Sequence, residues 1–207
     1  MEQIVQLNSG AKLSPHFTLG EFTRSGSHPE VYNIPSHEAI ANLKRLCTWL
    51  EELRQRYNDK YVVVKGDVST SLGMTGGGGA LGMTPPSLSS RPSALELCSL
   101  ATEGTQEARG EISEEPIRLN SGYRSPQLNR AIGGVSNSNH LTGCAVDIRV
   151  ENMEQLLRYA AILLDISNDT KQDFDELLIE KNRHGAIWLH FAVRPKDNRR
   201  KVAFINA

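Results

Sequence analysis

Residues 138–150 read SNHLTGCAVDIRV, and the alternation that follows Gly143 is the strongest constraint on how this chain folds. Apolar side chains at every second position predict a β-strand with one face in a core. The core-facing residues are Cys144, Val146, Ile148 and Val150. Asp147 lies on the other face, next to the small Ala145. His140 precedes Asp147 by seven positions, so a straight strand would aim the two side chains at opposite faces, whereas a turn at Gly143 allows them to converge.

A second strand candidate, AIWLHFAV at 186–193, places His190 opposite the face of Leu189, Phe191 and Val193. The set His140, Asp147 and His190 therefore offers two neutral imidazoles and one carboxylate. Three protein ligands of this kind, with a fourth position for water, are the usual form of a catalytic zinc site. Taken singly, each residue has an ordinary alternative, because strand histidines are commonly structural and a His–Asp pair at this spacing also occurs by chance.

Capping residues and apolar spacing predict three longer helices. The first begins after Ser36 and ends near Tyr57. The second begins at Ser125-Pro126 and ends at Gly133-Gly134. The third begins after Asn152, with Gln155 in a capping box. The third helix has an apolar face of Met153, Leu156, Leu157, Ala160 and Leu164. Strands are predicted at 61–64, 116–120, 144–150, 174–180 and 186–193, with the last two joined by a hairpin.

The composition is that of an ordinary globular chain, with 207 residues, 39% hydrophobic residues and a formal net charge of −1. This charge gives no electrostatic case for binding nucleic acid, and no apolar run is long enough to span a bilayer. A secretory signal is not visible at the N-terminus, so we expect cytoplasmic synthesis. The three widely spaced cysteines form no CxxC pair, which predicts free thiols.

One domain is expected at residues 13–195, between a leader at 1–12 and a C-terminal tail at 196–207. The domain is interrupted at about 66–112 by a Gly/Ser/Pro-rich segment that includes GMTGGGGALGMTPPSLSSRPS. Such a composition buries too little apolar surface to offset its ordering entropy, so we interpret this segment as an insertion.

The segment Ser138-x-His140-x-x-Gly143-x-Ala145-x-Asp147 resembles the SxHxxGxAxD motif of the zinc D-alanyl-D-alanine carboxypeptidases and related peptidoglycan endopeptidases. The hedgehog signalling domains share a looser form of this motif. SGYRS at 121–125 and FDELLIE…WLHFA also resemble segments of these peptidases, and LSPHFTLGEFTRS resembles the start of a subfamily found in phage lysis proteins. The resemblance implies an α+β fold, with a small, mostly antiparallel sheet and flanking helices.

The resemblance also implies roles for individual residues. His140, Asp147 and His190 would bind one zinc ion per chain, and Arg124 and Ser138 would contact the substrate. Many relatives have a catalytic glutamate three residues before the last histidine, but Ile187 occupies that position here. The subfamily resembled places the glutamate at the end of the preceding strand, where Glu180 matches and Glu176 is the alternative. His184 is expected at the surface, and Cys144 is expected to be buried and inert.

The function implied is zinc-dependent hydrolysis of a peptide bond in bacterial cell-wall peptides, with the peptidoglycan stem peptide as substrate. Both a D-Ala-D-Ala carboxypeptidase and an endopeptidase, including a phage endolysin that reaches the wall during lysis or from a virion, fit the resemblance. The alternative is a zinc-stabilised binding or structural module without hydrolytic activity, as the hedgehog domains illustrate.

Overall fold

A five-stranded sheet organises the fold, in the order β1-β2-β4-β3-β5. The computed structural model describes residues 9–62 and 114–206. The strands are β1 (Leu119–Ser121), β2 (Ala145–Arg149), β3 (Glu176–Lys181), β4 (Ile187–Ala192) and β5 (Lys201–Asn206). The helices are α1 (Leu19–Thr23), α2 (His37–Tyr61), α3 (Pro126–Ala131), α4 (Met153–Thr170) and a short 3₁₀ helix (Asn139–Thr142). All strand pairs are antiparallel except β3–β5, which confirms the predicted α+β class with a mostly antiparallel sheet.

The core lies between one face of the sheet and the helices α2 and α4. Val146 and Ile148 of β2 and Phe191 of β4 are fully buried on this face, as the alternation predicts. The ring of Trp49 in α2 lies 5.3 Å from that of Phe191. Because successive strand residues alternate between faces, Asp147 is directed to the opposite face of the sheet.

Helix α2 begins as predicted, because the Ser36 hydroxyl accepts a hydrogen bond from the backbone N–H of Ala39 at 3.1 Å. It ends at Tyr61 rather than Tyr57, so the strand predicted at 61–64 is wrong for its first two residues; the other two lie outside the described residues. The reason is an aromatic pair at i and i+4: the Tyr57 and Tyr61 rings are 5.3 Å apart and continue the helical stripe.

Helix α4 begins after Asn152, whose side chain accepts from the backbone N–H of Gln155. The Gln155 side chain in turn accepts from Glu151 rather than from the cap residue itself. Met153 and Leu157, predicted on the apolar face, are instead exposed. The buried stripe is rotated towards the fully buried Leu156, Tyr159 and Leu163, with Tyr159 packing edge-on against Tyr57 of α2.

The predicted C-terminal tail is corrected by the structure, since Lys201–Asn206 form the edge strand β5. This strand runs parallel to β3, with Lys201 opposite Glu176. The turn that precedes it is held by hydrogen bonds from Arg200 N–H to the Phe174 carbonyl and from Lys201 N–H to the Asp175 carbonyl.

The Gly/Ser/Pro-rich segment at about 66–112 lies outside the described residues, as do residues 1–8 of the leader. Lys12, at the end of the predicted leader, forms an isolated bridge to Thr18. Among the described residues, no helix is both long enough and apolar enough to cross a membrane.

Candidate metal centre and active site

His140 is presented by the 3₁₀ helix that precedes β2. The Ser138 hydroxyl caps this helix by accepting a hydrogen bond from the His140 N–H at 3.3 Å. Gly143 ends it in the left-handed conformation, with φ of 72°. A Cβ at Gly143 would lie 2.6 Å from the Ala39 carbonyl oxygen, so close packing as well as the backbone turn requires glycine here.

Asp147 and His190 are direct cross-strand partners in β2 and β4. The Asp147 Oδ1 atom lies 2.9 Å from Nδ1 of His190 and 3.3 Å from Nε2 of His140. The two imidazole rings meet edge to face, with centroids 5.0 Å apart. The turn at Gly143 and the pairing of β2 with β4 therefore bring together the three side chains that the sequence predicted as ligands.

The donor set suits a zinc ion. One ligand atom from each of His140, Asp147 and His190 lies within 4.8 Å of the others, and all three residues are buried. Tetrahedral zinc with bonds of 2.0–2.2 Å requires ligand atoms about 3.4 Å apart. The 3.3 Å contact from Asp147 to His140 already has this length, and the 2.9 Å contact to His190 needs to open by only a few tenths of an ångström.

The backbone of the SGYRS segment supports His140 from behind. Nδ1 of His140 lies 2.5 Å from the carbonyl oxygen of Gly122, so this nitrogen donates and the lone pair of Nε2 is left available for a metal ion. The N–H of Arg124 donates to the His140 carbonyl at 3.1 Å. Gly122 itself is pressed against Phe22 of α1, since an added Cβ would lie 2.8 Å from that residue. From the sequence, Arg124 was the residue of this segment predicted to have a role in the site. The role of the Gly122 carbonyl was not predicted.

Arg124 lies beside the predicted ligands rather than apart from them. Its Nη2 donates to Oδ2 of Asp147 at 2.5 Å, and its Nε donates to the Ser121 hydroxyl at 2.9 Å. The guanidinium thus orients the carboxylate whose other oxygen faces the two histidines. Ser138, predicted to contact substrate together with Arg124, uses its oxygen as the helix cap.

The three predicted ligands form a buried group whose charges act on one another. Burial raises the pKa of Asp147, but the charges and hydrogen bonds of His140 and His190 more than offset this and hold the pKa well below its usual range. Burial lowers the pKa of His190, but its hydrogen bond to Asp147 and the charge of that carboxylate raise the pKa above the ordinary value. The site therefore keeps a carboxylate ionised in a buried position, as a cation site requires.

The two candidate glutamates lie on β3, on the face of the sheet that carries His190. Leu178 pairs with His190, and Glu176 and Glu180 lie two positions to either side of it. Glu176 is held by three partners, the side chains of Asn139, Arg199 and Lys201.

Glu180 has no ion-pair partner among the described side chains. Burial, followed by the charge of Asp147, raises its pKa above the ordinary glutamate value against the lowering effect of His190. The indole N–H of Trp188, the cross-strand partner of Glu180, has no acceptor at hydrogen-bond distance in the described part of the chain.

A groove of about 580 Å³ opens beside the cluster. Its lining comes from the loop after α1, the β1–α3 segment, α3, β2 and the β3–β4 hairpin: Arg24, Ser25, Gly26, Ser27, Asn120, Ser121, Arg124, Leu128, Ile132, Asp147, Asn182, Ala186 and Trp188. Asp147 is the one acidic residue of this lining, and it is paired with Arg124. Arg24 is exposed and has no ion pair among the described residues, so the groove carries excess positive charge.

Two other predictions concern residues away from the cluster. Cys144 is buried as predicted, and burial raises the pKa of its thiol, which keeps it protonated and unreactive. His184 is exposed at the tip of the β3–β4 hairpin, where it contacts Arg183.

Comparison with known proteins agrees with the arrangement of the site. The family model described as Peptidase M15 matches residues 88–169. This range includes Arg124, Ser138, His140 and Asp147, begins within the Gly-rich segment, and ends before Glu180 and His190. A search of curated proteins found no match. Over residues 88–169 the chain is therefore similar to the M15 peptidases, and the motif and the convergence of its histidine and aspartate in the sheet agree with this likeness.

Proposed function

We propose that this chain is a zinc-dependent peptidase that hydrolyses a peptide bond in the stem peptides of bacterial cell walls. The observation that carries the proposal is the convergence of His140, Asp147 and His190 on one point, with Asp147 in the lining of an open groove. A buried carboxylate flanked by two imidazoles is the ligand set of many catalytic zinc sites.

His140 would bind zinc through Nε2, Asp147 through Oδ1 and His190 through Nδ1, because these are the atoms that face one another. Zinc bound there supplies a Lewis acid that lowers the pKa of a coordinated water to about 7 and polarises a carbonyl. Arg124 holds the second oxygen of Asp147 and so keeps the first directed at the two histidines.

Glu180 is proposed as the general base. Its carboxylate is free of ion pairs among the described side chains, and its raised pKa brings it closer to the range in which a base works at neutral pH. It would accept the proton of the attacking water and deliver it to the nitrogen of the leaving amine. Glu176 fits this role less well because its carboxylate is already held by Asn139, Arg199 and Lys201.

The groove supports a substrate that carries carboxylates. Arg124 and Arg24 line it, and arginine forks suit carboxylates geometrically. Leu128 and Ile132 of the α3 region add apolar surface. Cell-wall stem peptides combine short aliphatic side chains with free carboxylates, so they match this lining. The finer proposals are a D-Ala-D-Ala carboxypeptidase or a related endopeptidase, the second including a phage-type endolysin.

Digestion of purified peptidoglycan tests this function. We expect the wild-type protein with zinc to release new amino groups or free D-alanine, and we expect a chelator to abolish this and added zinc to restore it. Mass analysis of the products would identify the bond that is cut. Zinc binding without any product on several wall chemotypes would contradict hydrolysis and favour the alternative of a zinc-stabilised binding module.

A further inference from the structure

We propose that Glu176 is a positioning residue of the metal site, which holds His190 with Nδ1 directed at Asp147 and Nε2 directed away. This inference rests on the zinc site proposed above but concerns a residue outside the ligand set. Glu176 lies on β3, diagonally across the strand pair from His190.

The two oxygens of the Glu176 carboxylate have different neighbours. Oε2 accepts a hydrogen bond from the Asn139 side chain at 3.1 Å and lies 3.8 Å from Nε2 of His190. Oε1 lies 3.0 Å from Nη2 of Arg199 and 3.2 Å from Nζ of Lys201. One oxygen therefore faces the metal site, while the other is held by the cations around the start of β5.

This arrangement complements the one at His140. There the Gly122 carbonyl accepts from Nδ1 and leaves Nε2 for the metal. At His190 the assignment is reversed, because Nδ1 faces Asp147 and Nε2 faces Glu176. An acceptor on the far ring nitrogen fixes the tautomer and the orientation of a ligating histidine and raises its basicity. Among the described carboxylates other than that of Asp147, Glu176 is the one with an oxygen within 4 Å of a His190 ring nitrogen.

Through Asn139, Glu176 also connects the segment that carries His140 to His190. Asn139 is the residue immediately before His140, and its side-chain amide contacts both Glu176 and the buried Asp175. The 3₁₀ helix that carries one ligand is thus tied to β3 next to the strand that carries another. Removing the Glu176 carboxylate should loosen the geometry of His190 without removing any ligand atom.

Zinc affinity, measured by competition with a chromophoric chelator, is the direct test. We expect Glu176→Ala to weaken zinc binding by about 10- to 100-fold, the range typical for loss of such a supporting residue. Glu176→Gln keeps an oxygen that can accept from Nε2, so it should recover part of this loss. Glu154→Gln is the control, since it alters an exposed glutamate that pairs with Arg158 on α4, and its zinc affinity should equal that of the wild type.

A second measurement separates positioning from general destabilisation. At a fixed zinc concentration, zinc raises the melting temperature more when it binds the folded chain more tightly. A merely structural role for Glu176 would lower the melting temperature equally with and without zinc, whereas a positioning role reduces the rise that zinc produces. Wild-type affinity in Glu176→Ala, with an unchanged zinc-induced rise, would overturn this inference alone. Absence of zinc binding in the wild type would overturn the proposed function as well.

Discussion

Asp147 of β2 and His190 of β4 face each other across a hydrogen-bonded strand pair, with Oδ1 2.9 Å from Nδ1. Their neighbours Val146, Ile148, Leu189 and Phe191 are all fully buried on the other side of the sheet. A slip of one residue in the pairing would move these side chains out of the core and direct His190 into it. The apolar face of the sheet therefore determines which residues meet at the metal site.

Gly143→Ala should be strongly destabilising, because this position combines a φ of 72° with a Cβ placed 2.6 Å from the Ala39 carbonyl. Gly133→Ala is a matched control: its φ is 73°, but nothing lies within 4 Å of the added Cβ. We expect the free energy of unfolding of the control to fall by about 1–2 kcal/mol from left-handed strain alone. The free energy of unfolding of Gly143→Ala should fall by clearly more. Urea unfolding measures both, and equal losses would show that the contact with α2 is unimportant.

Asp175 should stabilise the fold in a pH-dependent way. It is fully buried and accepts hydrogen bonds from Arg199 at 2.7 and 2.8 Å and from Asn139 at 2.8 Å. Burial raises the pKa of Asp175, but these hydrogen bonds more than offset it and lower the pKa to about 2. Because the folded pKa lies below the unfolded value of about 3.9, this contribution is complete above pH 4 or so and is lost as the pH falls through about 2.

Asp175→Asn should accordingly reduce the free energy of unfolding by on the order of 2 kcal/mol near neutral pH. The difference in the free energy of unfolding between the variant and the wild type should narrow steadily as the pH falls from about 4 to 2. Asp173→Asn is the control, since that exposed carboxylate pairs with Arg200 at the surface and should change stability by less than about 1 kcal/mol. A gap for Asp175→Asn that stays constant across this pH range would contradict the ionic origin of its effect.

Glu180→Gln should leave the fold and zinc affinity intact while it lowers the hydrolytic rate by about 10²- to 10⁴-fold, the usual contribution of a general base. The glutamine keeps the shape of the side chain but cannot accept the proton. Rates on a defined muropeptide, with zinc content measured in parallel, provide the test. Full activity in Glu180→Gln together with an inactive, zinc-loaded Glu176→Gln would assign the base to Glu176.

Arg124→Lys distinguishes two roles for the arginine, orientation of Asp147 and recognition of a substrate carboxylate. Lysine keeps the charge but cannot reach both Asp147 and Ser121, so we expect kcat/KM to fall by about 10- to 100-fold. If the protein is a carboxypeptidase in which Arg124 binds the substrate's C-terminal carboxylate, kcat/KM should fall on peptides with a free C-terminal acid. In that case neither the wild type nor Arg124→Lys should cut C-terminally amidated peptides. Equal losses on free and amidated peptides would assign Arg124 to Asp147 alone and favour an endopeptidase.

Local patterns were sufficient to predict most of the elements that carry the site. The alternation around Asp147, the caps at Ser36 and Ser125 and the β3–β4 hairpin are all present in the structure. Each depends on interactions within a few residues, which a single sequence displays.

Contacts between distant segments could not be predicted in the same way. β5 pairs with β3, about 25 positions away, and is stabilised by Arg199 bound to Asp175. The Gly122 carbonyl supports His140 because α1 packs against Gly122, a relationship that no spacing in the sequence reveals. The ion pair between Arg124 and Asp147 likewise requires the β1–β2 pairing to be known.

Zinc stoichiometry in the wild type and in His190→Ala tests the central claim most directly. We expect about one zinc per chain in the wild type by elemental analysis after dialysis, as a site with three protein ligands retains its metal. His190→Ala should lose this zinc and all hydrolytic activity, whereas His184→Ala, which alters the exposed histidine of the adjoining hairpin, should keep both. Full zinc occupancy in His190→Ala, or a wild-type protein that binds none, would contradict the assignment of His140, Asp147 and His190 as a zinc centre.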